Sequence, residues 1–393
     1  MQQENIGVSA PSENITACVQ EDGLGISLQA QPENTSEKSK RASLLRRVMT
    51  VAGKTLLVLL ETVLLLAVAL YGVMYVLAKG PSPTARDLFV HSVRETSAVG
   101  FLANLFFTED EIRQITAAGS VPEYEEMDTS LIEIPKPGDS ENPSGGPTAD
   151  AWGLIDEDGD GIIVEPVKGE GYSGYMMVVL DPSRVIMGSD PSSYGKKGYT
   201  VAQMVQRFDA VAGINAGGFY DPNGSGNGSI PDTMVVHDGT IYYPELGTGS
   251  GFAGFDSNHI LHVGRFTPGQ IQQRDIQYGV CFGPVLIVNG VARDPATLGS
   301  GVNPRTAIGQ RSDGAVLLLV IDGRQVTSLG ATYTDLVEVF LSYGAVNACN
   351  LDGGSSSMMW YQGGYINNCA SVTGVRPVPT SFLVLKQEVG SHD

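Results

Sequence analysis

The chain has 393 residues, enough for two or three domains and a sizeable hydrophobic core. Its formal net charge of −19 argues against wholesale binding of nucleic acid, which requires clustered lysine and arginine to displace counterions from phosphates. Charged residues make up 17% and hydrophobic residues 42%, so the chain is neither disordered throughout nor a polytopic membrane protein. Glycine is in excess, with 49 residues, but follows no Gly-X-Y period, which excludes collagen.

A long apolar segment lies near the N-terminus. Residues 55–78 are almost all apolar, and these 24 residues exceed the length of about 20 that spans a bilayer. Lysine and arginine are concentrated before the segment, so the positive-inside rule predicts a cytoplasmic N-terminus and an extracellular remainder. We predict a single-pass signal anchor in the cell membrane over residues 46–79, with cleavage after the small residue Ala78 as the alternative. Residues 1–45 are predicted to be a disordered cytoplasmic tail, because they are polar with few apolar residues.

The next segment, residues 80–150, is predicted to be an extracytoplasmic helical stalk and linker. Pro83 after a serine is typical of a helix start, and Thr108 with Glu111 forms a capping box for a second short helix that Gly119 ends. Residues 135–150 are rich in Pro, Gly, Ser and Asp, which is typical of a linker. The main domain is therefore predicted to occupy residues 151–388.

Short apolar runs separated by turns fill the main domain. The runs are IIVEPV, YMMVVLD, MVVHDGTIYY, HILHVG, GPVLIVNGVA, AVLLLVIDG and SFLVLK. Asp238-Gly239, Asn289-Gly290 and Asp322-Gly323 predict hairpins or tight turns. The predicted fold class is α+β, a β-rich mixed-sheet catalytic domain with a few packed helices, preceded by a single transmembrane helix and the stalk.

Two passages of the main domain resemble each other. Each reads as a helix, a short apolar strand, an asparagine and then Gly-Gly; Thr200 caps the first helix, and Thr332 or Thr334 caps the second. If this is a true repeat rather than chance similarity, Asn215 and Asn350 end corresponding strands. The two Gly-Gly turns, at Gly217-Gly218 and Gly353-Gly354, then face one another across a single cleft.

Two ligand-binding patterns are present but incomplete. Gly169, Gly171 and Gly174 match a dinucleotide fingerprint, yet a strand follows them rather than a helix. The acidic residues of segment 156–161 copy the first half of an EF-hand loop without its bidentate glutamate, so Asp156, Asp158 and Asp160 predict an acidic surface turn, with partial Ca²⁺ binding as the alternative. No other metal or cofactor is predicted.

Cysteines are few. Cys18 lies in the predicted tail, and Cys281, Cys349 and Cys369 lie in the main domain. Three thiols allow one disulfide at most, and the sequence does not choose the pair.

Polar residues concentrated in glycine-rich turns are the strongest functional signal. Glycine allows backbone N–H groups to approach an anion closely, and arginine adds a planar fork that suits phosphate. Arg305 and Arg376 lie next to such turns. The alternative for Arg305 is a structural ion pair.

These turns resemble a known family. The segments NAGGFYDPNG, FGPVLIVNG, NPRTAIGQRSDGAVLLLVIDGR, NLDGGSSSMM and RPVPTSFLV are similar to motifs of the phosphodiester glycosidases, and the resemblance covers roughly residues 155–386. It implies hydrolysis of the glycosidic bond of a sugar-1-phosphodiester, which releases a free sugar and a phosphomonoester. One departure is Met358, where many members carry threonine.

The resemblance and the chemistry together assign roles to residues of these turns. Asp352 is the preferred base or nucleophile, and Asp322 is the second choice, with a plain turn aspartate as its alternative. Arg305 is predicted to act in catalysis by holding the phosphate, with Arg376 beside it. Asn215 is predicted to bind the sugar or to orient Asp352. The full predicted substrate-binding set is Asn215, Gly217, Gly218, Thr306, Asn350, Gly353, Gly354, Ser355 and Arg376.

The predicted function is a membrane-anchored extracytoplasmic hydrolase. Its partner is a phosphodiester-linked glycan, resembling a GlcNAc-1-phosphodiester, in cell-surface polysaccharide or teichoic-acid-like polymers, and it binds no nucleic acid. One alternative is a non-catalytic glycan- or polymer-binding protein of cell-envelope or exopolysaccharide assembly. The other is a Ca²⁺-dependent phosphodiesterase that uses the acidic turn at 156–161.

Overall fold

The computed structural model describes most of the chain in two units. The described residues are 35–94, 100–117, 126–135, 149–221, 226–243, 251–294, 298, 301–371 and 374–387. Unit 1 comprises Met1–Leu70 and unit 2 comprises Tyr71–Asp393. Most of the predicted tail, the linker over 136–148 and the predicted helix end at Gly119 lie outside the described residues.

The described residues contain seven α-helices and seventeen β-strands. The helices are α1 (Thr35–Lys79), α2 (Pro83–Arg94), α3 (Phe101–Asn104), α4 (Glu109–Ala117), α5 (Val201–Arg207), α6 (Pro268–Gln273) and α7 (Tyr333–Ser342). The strands are β1 (Ile162–Gly169), β2 (Tyr172–Val179), β3 (Val185–Ser189), β4 (Ala210–Asn215), β5 (Val235–His237), β6 (Thr240–Tyr242), β7 (Gly251–Asp256), β8 (Leu261–Gly264), β9 (Ile276–Phe282), β10 (Val285–Val288), β11 (Val291–Ala292), β12 (Arg305–Arg311), β13 (Val316–Ile321), β14 (Ala345–Asn350), β15 (Met359–Tyr361), β16 (Gly364–Tyr365) and β17 (Thr380–Leu385).

Helix α1 is long and apolar enough to cross a membrane over Ser39–Lys79, the one such helix among the described residues. Its large apolar side chains are exposed, as a lipid-facing helix requires. The helix begins at Thr35, so residues 35–45 are helical rather than part of a disordered tail. The physical reason is that this stretch contains neither proline nor glycine and is rich in Lys, Arg and Leu, which are good helix formers.

Helices α2–α4 share a small apolar core with the last turn of α1 in unit 2. Helix α2 begins at Pro83 as predicted, and the predicted capping box is present, with Glu111 N donating to Thr108 Oγ1 over 3.2 Å. The apolar core consists of Ala78, Phe89, Val90, Ala103, Phe107 and Ile112. Val302 N donates to Ser92 Oγ over 3.1 Å, which joins α2 to the main domain.

The main domain contains three sheets, and its fold class is α+β as predicted. The strand orders are β1-β2-β13-β12-β14-β10-β11, β16-β15-β4-β17-β3 and β6-β5-β9-β7-β8. Every strand pairing in these sheets is antiparallel, so they are not the mixed sheets that the sequence predicted. The difference arises because strands joined by a helix do not pair with each other; a third, antiparallel strand lies between them.

Two of the three predicted tight turns join paired strands. Asp238-Gly239 links β5 to β6 and Asn289-Gly290 links β10 to β11, and all four residues have positive φ, as a type I′ turn requires. The prediction for Asp322-Gly323 was wrong. That pair follows β13 and enters a loop that leads to α7, because Asp322 turns inward and is buried.

The predicted internal repeat corresponds to two units with the same connectivity. In the first, β3-α5-β4, strands β3 and β4 both pair antiparallel with β17, which lies between them. In the second, β13-α7-β14, strands β13 and β14 both pair antiparallel with β12. Thr200 and Thr332 cap the two helices, each with a complete capping box. Thr332, rather than Thr334, is therefore the cap of α7.

The seven-stranded sheet is covered on both faces. Its central strand β13 is buried at every residue, which explains the uninterrupted apolar run VLLLVI. One face packs against α7 through residues such as Leu336 and Phe340, and the other packs against side chains of the two five-stranded sheets. This packing brings the ends of β4 and β14 together.

The main-domain cysteines form no disulfide. Cys281, Cys349 and Cys369 are all free thiols. Burial raises the pKa of Cys281 to about 12 and also raises that of Cys349, so both stay protonated at neutral pH.

Candidate active site

The candidate site lies where the strand ends of the two repeat units meet. Asp352 N donates to Ala216 O over 2.9 Å, and Asn215 Nδ2 donates to Asp352 O over 2.6 Å. The turns that follow β4 and β14 are therefore joined directly, as the repeat predicted.

The side chain of Asn215 links the turn after β4 to the turn after β14 through hydrogen bonds. Its side chain is fully buried, and Oδ1 accepts from Thr306 Oγ1 over 2.8 Å and from Met358 N over 3.0 Å. All these contacts are inside the protein, as a role in orienting the Asp352 turn requires, and that role stays a prediction. Thr306 supports Asn215 through the same contact.

Asp352 carries the most perturbed carboxyl of the cleft. The residue is half-buried, and its carboxylate accepts from the Ser356 hydroxyl. The pKa of Asp352 is raised to about 7, chiefly by burial and also by the charge of Asp232, while Ser356, Arg376 and the Gly353 N–H oppose the rise. At neutral pH the carboxyl is therefore poised between its acid and base forms.

Asp232 is a second carboxyl of the cleft that the sequence analysis missed. Its backbone N donates to Gly218 O over 3.3 Å, and a Cβ placed on Gly218 would lie 2.8 Å from Asp232 Oδ1. The side chain reaches solvent, yet the surrounding protein raises its pKa by desolvation. In sequence it is one aspartate before an apolar run, with no local signal to distinguish it.

Arg376 contacts the turn that begins at Asp352. Nη1 donates to Ser355 Oγ over 3.2 Å, and Nη2 forms an ion pair with Asp221 Oδ1 over 2.8 Å. The guanidinium also lies 4.9 Å from the centre of the Phe219 ring. Asp221, another residue that the sequence analysis missed, thus orients an arginine that reaches the predicted substrate-binding turn.

Arg305 lies elsewhere, which argues against its predicted role in holding phosphate. The side chain is buried, Nε donates to Ala331 O over 3.1 Å and Nη2 donates to Gly301 O over 2.6 Å. The guanidinium lies 4.2 Å from the centre of the Tyr333 ring. These contacts tie the start of β12 to the start of α7, and they favour a structural role for Arg305 over a phosphate contact.

Asp322 also has structural partners. Its carboxylate accepts from Asn367 Nδ2, Asn368 N and Asn368 Nδ2 over 2.9–3.1 Å, inside the protein. These contacts hold the loop after β13 against residues 367–368, so they favour a structural role for Asp322 over a catalytic one.

The remaining predicted binding residues shape the cleft through the backbone. Gly217 N donates to Thr380 Oγ1 over 2.9 Å, and Asn350 Nδ2 donates to Gly283 O over 2.8 Å. Gly354 has φ +62°, which favours glycine, and a Cβ on Gly353 would lie 2.8 Å from Pro304 O. The two Gly-Gly turns are therefore required for close packing of one backbone against another.

Met358 is buried in an apolar cluster with Val201 and Met204. Its contribution to the cleft is the backbone N–H that Asn215 accepts. The departure from threonine thus places an apolar side chain in the core.

The acidic loop forms a separate cluster. Asp156, Asp158 and Asp160 each offer a carboxylate oxygen, and these oxygens lie within 4.8 Å of one another. Asp156 also accepts from the backbone N–H groups of Gly159 and Gly161, so the carboxylates shape their own turn. These three residues are the described residues best placed to hold a cation, and Ca²⁺ binding there stays a prediction.

Part of the main domain is similar to known proteins. Residues 208–385 match the family model described as phosphodiester glycosidase. The SPbeta prophage-derived uncharacterized protein YomE of Bacillus subtilis is 35% identical over 179 residues, which is 43% of this chain and 27% of that protein. The chain thus covers about a quarter of that relative's length.

Two solved structures are similar in part. The catalytic domain of zebrafish N-acetylglucosamine-1-phosphodiester alpha-N-acetylglucosaminidase is 18% identical, with a TM-score of 0.47 over 57% of this chain and 82% of that chain. A hypothetical protein from Synechocystis is 14% identical, with a TM-score of 0.46 over 57% of this chain and 62% of that chain. At these scores the fold is best described from the strands of this chain itself. The family match agrees with the resemblance in the turn motifs, and residues 208–385 therefore form a domain like those of the phosphodiester glycosidases.

Proposed function

We propose that this protein hydrolyses the glycosidic bond of sugar-1-phosphodiesters, such as GlcNAc-1-phosphodiesters in cell-surface polysaccharide or teichoic-acid-like polymers. The observation that carries the proposal is the Asp352 carboxyl, which is half-buried beside Arg376 where two glycine-rich turns meet. A carboxyl with a pKa of about 7 suits general acid–base work near neutral pH. The family match to residues 208–385 supports the same reaction class.

The proposed reaction uses the charge of the leaving group. The bond between C1 of the sugar and the phosphate oxygen breaks, and both electrons go to that oxygen. Because a phosphomonoester is a good leaving group, departure depends on charge stabilisation more than on protonation. Arg376 supplies that stabilisation from a position that Asp221 fixes.

The ionised form of Asp352 acts on the other side of the bond. It attacks C1 directly or accepts a proton from the attacking water, in keeping with the paired carboxyls of glycosidases. Asp232 is the second carboxyl of this pair, and its negative charge makes Asp352 a stronger base.

We also propose that α1 anchors the protein in the cell membrane with the main domain outside. Its exposed apolar surface and the excess of Lys and Arg before the apolar segment support this orientation.

The decisive experiment is product analysis with the full-length protein in detergent. A methyl phosphodiester of GlcNAc-1-phosphate, incubated in ¹⁸O-labelled water, is expected to yield labelled free GlcNAc and unlabelled methyl phosphate. The D352N variant is expected to lose at least about 10³-fold in kcat, whereas D209N, which changes an exposed carboxyl paired with Lys386, keeps full activity.

Other outcomes distinguish the alternatives. GlcNAc-1-phosphate as product, with the label in phosphate, means P–O cleavage and favours the Ca²⁺-dependent phosphodiesterase that would use the acidic loop. Retained binding of the glycan polymer without turnover of any phosphodiester means a non-catalytic binding protein.

A further inference from the structure

A second guanidinium lies on the turn that Arg376 contacts. Arg324 follows β13 and is exposed, and its Nη2 donates to Asn303 Oδ1 over 3.2 Å. A Cβ placed on Gly354 would lie 3.3 Å from Nη2 and 3.6 Å from Nη1 of this arginine. The guanidinium of Arg324 therefore lies directly against Gly354.

Two arginines thus contact adjacent residues of one turn. Arg324 lies against Gly354, and Arg376 donates to the hydroxyl of Ser355, the next residue. Asp352 begins the same turn, and its carboxylate accepts from Ser356. An anion next to Asp352 would therefore lie within reach of two positive charges that come from different parts of the chain.

The backbone holds Arg324 in this position. The residue has φ +58°, a backbone conformation that residues other than glycine adopt only at a cost of about 1 kcal/mol. Its N–H donates to Leu329 O over 3.1 Å, and the preceding Asp322 is fixed by Asn367 and Asn368. The buried Asp322 thus anchors a loop whose exposed arginine reaches the cleft.

The charge of the substrate changes during the proposed reaction. A sugar-1-phosphodiester carries one negative charge, whereas the departing phosphomonoester carries up to two. When the C1–O bond breaks, its electron pair goes to the phosphate oxygen, water supplies a hydroxyl to C1, and the remaining proton of that water goes to Asp352. One arginine balances the single negative charge of the diester. A second arginine interacts most strongly with the phosphate when the second negative charge develops on the departing oxygen.

We propose that Arg324 is a phosphate-binding residue that acts with Arg376 and binds the departing phosphomonoester dianion more strongly than the diester. This assignment rests on the proposed function and moves the second phosphate contact from Arg305 to Arg324. It also gives Asp322 a positioning role, because this carboxylate fixes the loop that carries Arg324.

Two measurements on the full-length protein test the proposal. In calorimetry with methyl phosphate at pH 8, where this ligand is a dianion, R324Q is expected to weaken binding at least about 10-fold, and at pH 5 the loss is expected to be smaller. In steady-state kinetics R324Q is expected to lower kcat about 10²–10³-fold with a smaller change in KM, and R324K to recover part of the loss.

The matched control is R207Q, which changes an exposed arginine paired with Asp190. It is expected to leave both phosphate binding and kcat unchanged, and thermal melts check that both variants are folded. Unchanged methyl phosphate affinity and kcat in a folded R324Q variant would overturn the assignment.

Failure of the proposed reaction and failure of the Arg324 assignment give different results in these two measurements. If the wild-type protein hydrolyses no sugar phosphodiester but binds methyl phosphate in an Arg324-dependent way, the reaction is wrong and the anion site is correct. If the wild type hydrolyses the diester and R324Q does so equally well, the reaction is correct and the inference is wrong.

Discussion

At the scale of single residues, opposing charges set the basicity of Asp352. Burial and Asp232 raise its pKa, whereas Arg376 and the Ser356 hydroxyl lower it, and the result is a value of about 7. The charges of Asp232 and Arg376 act on this pKa in opposite directions. Variants that neutralise Asp232 or Arg376 should therefore shift the pKa of Asp352 in opposite directions.

The pH dependence of kcat is expected to follow this balance. Because the ionised carboxyl is the active form, kcat should rise through a pH near 7. D232N removes a negative charge and should move this limb to lower pH, whereas R376Q removes a positive charge and should move it to higher pH. The measurement is a pH–rate profile at saturating substrate, and D209N should leave the limb in place. Shifts of the same sign in both variants would contradict the assignment of Asp352.

The same pKa has a consequence for stability. The pKa of Asp352 in the folded protein lies above its ordinary value of 3.8, so between these limits the folded state binds more protons than the unfolded state. The free energy of unfolding therefore falls as the pH rises from about 4 to about 7, by up to about 1.4 kcal/mol per pH unit from this group. D352N removes the ionisation, and we expect it to be inactive yet more stable than the wild type at pH 8. Urea unfolding at pH 5 and pH 8 measures the difference, and a loss of stability at pH 8 would argue against it.

The sequence located the turns but not every side chain that lies near them. Asp352 and Arg376 were selected because they lie in turn motifs that resemble the family, and their roles stay predictions. Residue type does not reveal whether an arginine at a strand end is buried, as Arg305 is, or exposed, as Arg324 is, so only the structure draws attention to Arg324. Asp232 comes to the cleft only through the packing of its backbone on Gly218, a contact that no local pattern encodes.

At the scale of secondary structure, Asn215 connects the two repeat units. Its amide makes contacts with the Asp352 turn, with Thr306 of β12 and with Met358. One buried side chain therefore links three segments of the proposed site.

The N215A variant is expected to lose stability and activity together. It leaves buried donors and acceptors without partners, each worth about 1–3 kcal/mol, so we expect a loss of about 2–4 kcal/mol in the free energy of unfolding. Activity should fall at temperatures where the variant is still folded, because the Asp352 turn loses its support. Urea denaturation measures the first effect, and N258A, in an exposed turn, should stay within about 0.5 kcal/mol of the wild type. Full activity of folded N215A would show that the hydrogen bonds of Asn215 do not position Asp352.

Turns and helix ends were predicted correctly where residues close in sequence determine them. The Asp-Gly and Asn-Gly hairpins and the capping boxes at Thr108, Thr200 and Thr332 are set by residues near in sequence. Strand direction was not predictable in this way. Whether β13 and β14 pair directly or through β12 depends on a strand from another part of the chain.

At the scale of the whole molecule, the proposed topology is open to a labelling test. Cys281 and Cys349 are buried, so in a C369S background the native Cys18 is the thiol left to report on the N-terminal side. With a membrane-impermeant maleimide, Cys18 should react only after lysis. An added L329C, at a position 61% exposed, should react in intact cells. Labelling of Cys18 in intact cells would reverse the proposed orientation.

Strand β17 has a consequence for how the protein is made. It pairs with both β3 and β4, although it lies near the C-terminal end of the described chain, and Arg376 immediately precedes it. A chain that emerges N-terminus first therefore leaves the edges of β3 and β4 open until residue 385 is available, and such open edges favour aggregation. A chain stopped before residue 376 lacks both this arginine and the strand that pairs with β3 and β4. We therefore expect the proposed anion site and the protection of these strand edges to be completed together, late in synthesis.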